Sequence, residues 1–109
     1  MAGRDVVPLL VRTADLARQQ TGVVEDLARE IDPTDAAALR RAPQVVAAVA
    51  LRGYWHTATG GLPPPDERAL RRMLAVAAGE RRSCEVSRGW NLRRTEGRLR
   101  LERDGGGAR

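Results

Sequence analysis

The chain reads as an α+β protein, one long helix and a small helical bundle followed by a short three-stranded antiparallel sheet. Three observations predict this class. Apolar residues recur at spacings of three and four as far as about Ala78, the period falls to two beyond Gly79, and prolines and glycines stand where one pattern gives way to the next. A length of 109 residues suits one domain and is short for two with separate cores.

The first helix follows Pro8, a residue suited to a first helical turn. Leu10, Ala14, Ala17, Thr21, Val24, Ala28 and Ile31 lie along one stripe, which Leu16, Val23 and Leu27 widen. Gly22 weakens the middle of this helix by up to about 1 kcal/mol relative to alanine, and Asp32-Pro33 stops it. Residues 1–33 therefore read as a long linker helix, and residues 34–103 as the domain it leads into. In "DPTDAAALRRAP", Thr34 is the expected N-cap of a short helix that Pro43 closes after about two turns.

Pro43 opens a third helix reaching to about Thr57. Val45, Val46, Val49, Ala50, Leu51, Tyr54 and Trp55 cover most of its circumference, which predicts the centre of the core. Gly60-Gly61 ends it, "LPPP" is a stiff connector, and Asp66 and Glu67 begin a fourth helix where carboxylates suit the dipole. Leu70, Met73, Leu74 and Ala77 form its inner stripe, Arg68, Arg71 and Arg72 gather opposite, and Gly79 fits the C′ position.

Beyond Gly79, Cys84 and Val86, then Trp90 and Leu92, then Leu99 and Leu101 alternate with polar residues, and "SRG" and "TEG" supply turn chemistry between them. Three short strands follow. The alternation puts Trp90 in the core rather than on a base-stacking platform, and makes Arg93, Arg94, Arg98 and Arg100 the outward residues. Residues 104–109, "DGGGAR", hold no large apolar anchor and are expected to be disordered.

Charge is divided unevenly. The chain has 19 basic and 14 acidic residues, and every basic one is arginine. Through Glu67 there are 7 arginines against 9 acids, and from Arg68 onward 12 against 5. The positive half suits a polyanion, because an arginine fork can hold phosphate bidentately or stack on a base. The candidate contacts are Arg68, Arg71 and Arg72 on the fourth helix, Arg81 and Arg82 in the next loop, and Arg93, Arg94, Arg98 and Arg100 on the strands, with few acids nearby to neutralise them.

Several chemistries lack their residues. His56 is the sole histidine and Cys84 the sole cysteine, so neither an intramolecular disulfide nor a nitrogen and sulfur zinc set is available. A "GXXXXGK[ST]" phosphate loop needs a lysine, and no Ser/His/Asp arrangement suggests itself; no cofactor is expected in this chain. No apolar run approaches the roughly 20 residues of a membrane span, and residues 1–10 lack an export signal, so a cytoplasmic protein is expected.

The order of pieces resembles a known family. "VVPLLVRTADLARQQTGVVEDLARE", "PTDAAALRRAPQVVAAVALRGYW" and above all "LAVAAGERRSCEVSRGWNLRRTEGRLRL" look like the substrate-binding domain that follows the catalytic domain in bacterial tRNA(Ile)-lysidine synthetase. The likeness runs from Val7 to Glu102. It implies a tRNA partner and a family chemistry in which ATP and Mg serve to join lysine to the anticodon cytidine of an isoleucine tRNA. That chemistry belongs to a domain with an "SGGxDS" loop. The loop does not occur in these 109 residues, so the resemblance covers the tRNA-contacting part without the catalytic part, whose place a separate catalytic domain would take.

Two other classes compete. Short helices followed by an arginine-bearing hairpin also suit a winged-helix DNA-binding module, although the outer side of the fourth helix has no amide or hydroxyl side chain to read base edges. A non-catalytic adaptor or remnant would instead dock through the Leu10 to Ile31 stripe, as a homodimer or on a partner.

Overall fold

The computed structural model describes residues 22–103. Within them four helices precede a three-stranded antiparallel sheet, the α+β arrangement expected. The expected helix over the residues before 22 and the tail expected to be disordered after residue 103 lie outside the described residues. Helix α1 is described over residues 22–29. Ala28 is buried and Val24 and Ile31 pack on the core, whereas Val23 and Leu27 are 55% and 44% exposed.

Helix α2, Ala36–Arg41, is capped by Asp35 and not by Thr34. Asp35 Oδ1 accepts from the amides of Ala37 and Ala38 at 3.1 and 3.2 Å. Thr34 is engaged otherwise: its hydroxyl and its amide donate to Asp32 Oδ1 at 2.6 and 2.9 Å. Two adjacent residues of capping type stand here, and Asp32, which engages Thr34 before the helix begins, leaves the cap to Asp35.

Helix α3 runs Gln44–Thr59, with Pro43 as its N-cap and Gly60 (φ 75°) ending it in the left-handed region. Both ends fall within two residues of expectation. Val46, Ala47, Ala50, Leu51 and Trp55 are buried, which makes α3 the centre of the core, but Val45 stands 57% exposed. The Trp55 indole N–H donates to the Pro63 carbonyl at 2.8 Å, so the buried ring also fixes the proline connector. Helix α4, Glu67–Ala77, is capped by Asp66, which accepts from the Ala69 amide at 2.8 Å. Leu70, Met73 and Ala77 are buried as the stripe predicts, Leu74 is half-buried, and Ala69 and Val76 are buried besides.

Strands β1 (Ser83–Ser87), β2 (Trp90–Thr95) and β3 (Arg98–Arg103) form a sheet in the order β1-β2-β3. Both hairpins close on two residues, Arg88-Gly89 and Glu96-Gly97, all with φ between 53° and 79°. Two successive positive φ values identify type I′ turns, whose twist matches that of the strands. Cys84, Val86, Leu92 and Leu99 are buried on the inner face, where β1 and β2 pack against α4. Trp90 meets Trp55 edge-on, ring centroids 6.1 Å apart. Burial pushes the Cys84 thiol up, against the opposing pull of Arg72 and Arg81, so it is a packing residue rather than a nucleophile.

The free edge of β3 is covered from far away in sequence. The Leu99 amide donates to the Thr34 carbonyl at 2.7 Å and the Ala36 amide to the Gly97 carbonyl at 2.9 Å. A single bridge, Asp35 to Arg98, thereby joins the start of α2 to the sheet.

Candidate nucleic-acid interface

The nine arginines singled out from the sequence fall into three groups. The first lies on the outer face of the sheet, which no described element covers. Register places Arg93 opposite Arg100 and Thr95 opposite Arg98, with Ser83 beside Arg93 on β1. Cross-strand partners share a face, so Arg93, Arg98 and Arg100 project together, and all three are exposed.

The second group is structural, and it corrects the expectation that these side chains face outward. Arg94 shares the inner side with Leu92 and is half-buried; its Nε–H donates to the Val76 carbonyl at 3.1 Å, at the last turn of α4. Arg93 and Arg94 are consecutive, and a period of two cannot turn both outward. A cation on the final carbonyls of a helix suits its dipole. Arg72 likewise turns to the sheet. Its Nε donates to the Glu85 carbonyl at 3.1 Å and a terminal nitrogen to the Val86 carbonyl at 3.4 Å. The register of β1 shifts between Glu85 and Ser87, and a bulge interrupts the ladder and leaves carbonyls in need of a donor.

The third group is on α4 and the loop that follows. Arg68, Arg71, Arg81 and Arg82 are exposed. Because α4 packs on the inner face, Arg68 and Arg71 are separated from the outward strand arginines by the thickness of the sheet. Arg71 lines a groove between α2, α3 and α4 instead, together with Arg40 and Gln44, and its continuation includes Arg52. Sequence reasoning passed over Arg40 and Arg52 because they lie in the net-acidic part of the chain, and only helix packing brings them beside Arg71. The nine do not form one patch.

Acids are also nearer than expected. Glu102 lies 3.5 Å from Arg93 and 3.7 Å from Arg100, Asp32 lies 3.2 Å from Arg98, and Glu67 lies 2.7 Å from Arg71. All are exposed pairs, each worth about 0–1 kcal/mol, and a phosphate can displace the carboxylate. Thr34 holds the Asp32 carboxyl below the usual carboxylate range, first through its hydroxyl and then its amide, with Arg98 adding to the effect. No carboxylate among the described residues lies within 4 Å of Arg68, Arg72, Arg81, Arg82 or Arg94.

A cleft at the open end of the β1–β2 ladder is lined by Arg82, Ser83, Arg93, Arg94, Thr95 and Glu96, so it holds both signs of charge. The Arg94 amide donates to the Arg82 carbonyl at 2.9 Å, which fixes the two chain segments relative to each other. Among the described residues no three His, Cys, Asp or Glu side chains come together as a metal-holding group, and no helix is long and apolar enough to cross a membrane. Compared with known proteins, the chain matches no family model, no curated protein and no solved structure.

Proposed function

We propose that this domain binds tRNA through its phosphates, as the likeness to the substrate-binding domain of tRNA(Ile)-lysidine synthetase implies. The observation that carries the reading is the uncovered outer face of the sheet, where Arg93, Arg98 and Arg100 project side by side above a packed core. Forked donors on a rigid sheet lose little entropy when they meet phosphate oxygens. Ser83, Asn91 and Thr95 on the same face add neutral donors and acceptors. Such contacts set position and orientation, while base identity is left to RNA shape or to a separate catalytic domain. The chain itself is assigned no catalysis, and the ATP and Mg of the family's ligase step belong to that other domain.

The test is tRNA binding across a salt series. Displacing about three phosphate counterions gives a log–log slope near −2 to −3. The double substitution Arg93→Gln, Arg100→Gln should flatten the slope by about 2 while leaving the fold intact. Affinity unchanged between low and physiological salt would refute the reading. The winged-helix alternative requires sequence-specific duplex DNA binding through α4, whose exposed residues include Arg68 and Arg71 but no amide or hydroxyl; a footprint on one duplex sequence would favour it.

A further inference from the structure

We infer that the groove between α3 and α4 receives helix α1 of a second copy of this chain. Three large apolar side chains among the described residues are exposed: Val23, Leu27 and Val45. Val23 and Leu27 lie one turn apart on α1, outside the stripe that Val24, Ala28 and Ile31 turn to the core. Val45 stands at the start of α3, on the groove. The groove is built by helical phase. At about 100° per residue, Gln44, Val45, Ala48 and Arg52 fall within about 100° of one another on α3, and Glu67, Leu70, Arg71 and Leu74 do the same on α4. The two rows therefore line one depression of about 550 Å³. Leu70 is buried and Ala48 and Leu74 are half-buried, which makes them its floor, while Val45, Arg52, Glu67 and Arg71 are exposed at its rims.

The occupant is chosen by the match of the two surfaces. An amphipathic helix enters an apolar groove with anchors at i and i+4, the spacing of Val23 and Leu27. Beside them Asp26 and Glu30 are exposed, and residues 22–30 carry three acids against the single Arg29, a net of −2. The groove and its continuation toward α2 carry Arg40, Arg52 and Arg71 against Glu67 and Glu80, a net of +1. Asp26 and Arg71 have partners on their own helices, Arg29 at 2.6 Å and Glu67 at 2.7 Å, but exposed pairs hold weakly and can exchange across an interface. Within one copy α1 lies on the other flank of α3, at Val49, Gly53, Tyr54 and Thr57, so it does not reach its own groove. The contact is also independent of the RNA reading, which rests on the opposite side of the sheet from α4. Two helical turns in a groove bury little, at or below about 1,200 Å² in total, so association should be weak and dependent on concentration.

The experiment is sedimentation equilibrium of the full chain from micromolar to near-millimolar concentration, with thermal melts to show that each variant folds. The parent's mass should rise with concentration above the monomer value. Leu27→Asp and Val45→Asp should each weaken association at least about tenfold with an unchanged melt, since both positions are exposed in the monomer. Two charge-reversed proteins separate this pairing from general stickiness: Asp26→Arg with Glu30→Arg on α1, and Arg52→Glu with Arg71→Glu on the groove. Each alone sets like charges against each other and should stay monomeric, whereas an equimolar mixture restores opposite charges at both contacts and should associate within about threefold of the parent. A parent that is monomeric throughout, or a mixture of folded variants that stays monomeric, overturns the inference. Loss of association in Leu27→Asp but not in Val45→Asp also overturns it, because α1 would then pair with something other than the groove.

Discussion

Arg93 and Arg94 are neighbours in sequence and opposites in role. Arg93 stands exposed with Glu102 at 3.5 Å; Arg94 turns inward and holds the last turn of α4 to the sheet. One residue of register separates a side chain available to a ligand from one committed to the fold. The lesson is that arginine density does not measure a binding surface. Of the nine arginines marked by composition, Arg72 and Arg94 fasten α4 to β1 and β2, and the rest divide between two sides of the molecule.

The largest effect should come from breaking the fastening. Arg94→Met keeps most of the stem's apolar packing and removes the charged donor to Val76, so urea denaturation should show a loss of about 1.5–3 kcal/mol. Arg93→Met should cost less than about 0.5 kcal/mol while weakening tRNA binding. Equal losses of stability in the two variants would end the comparison. Arg72→Met should come next, at about 1–2 kcal/mol, because two carbonyls at the bulge lose their donor.

Arg88 sharpens the contrast from a third side. It occupies the first position of a type I′ turn with φ 53°, a conformation that asparagine and glycine adopt more readily than arginine. Arg88→Asn should raise stability by about 0.5–1 kcal/mol in a thermal melt, an arginine whose removal helps the fold. The smallest effect is at Asp32. Its carboxyl is depressed in the folded state, so its contribution is present at neutral pH and is lost as pH falls through that depressed value. Asp32→Asn should be slightly less stable than the parent at pH 7 and indistinguishable from it once both carry a neutral side chain. A stability difference that persists in acid would assign the effect to packing instead.

Much of this was legible in the chain. The two X-Gly turns, the alternation of Cys84, Val86, Leu92 and Leu99, and the inner stripe of α4 all follow from local rules that the fold obeys. Arg94 was legible too, since it is in phase with Leu92; its charge masked a position that the period had already assigned inward. The choice of Asp35 over Thr34 as cap was not, because it depends on Asp32 engaging Thr34 and on Leu99 binding the Thr34 carbonyl. The α4 arginines were grouped with those of the strands because proximity in sequence stood in for proximity in space, and the sheet lies between them.

The bridge from Asp35 to Arg98 has a consequence for the order of folding. The two hairpins close over two residues each and can form on the microsecond scale, whereas pairing Thr34 with Leu99 must draw together chain ends more than 60 residues apart. Until that late step the Leu99 amide on the outer edge of β3 lacks its partner and another chain could pair with it, although the Leu101 amide on the same edge donates to the Tyr54 hydroxyl of α3 at 3.1 Å. The short segment before α2 thus acts as a closing latch. Its docking rate sets how long each newly made molecule is exposed to association with its neighbours.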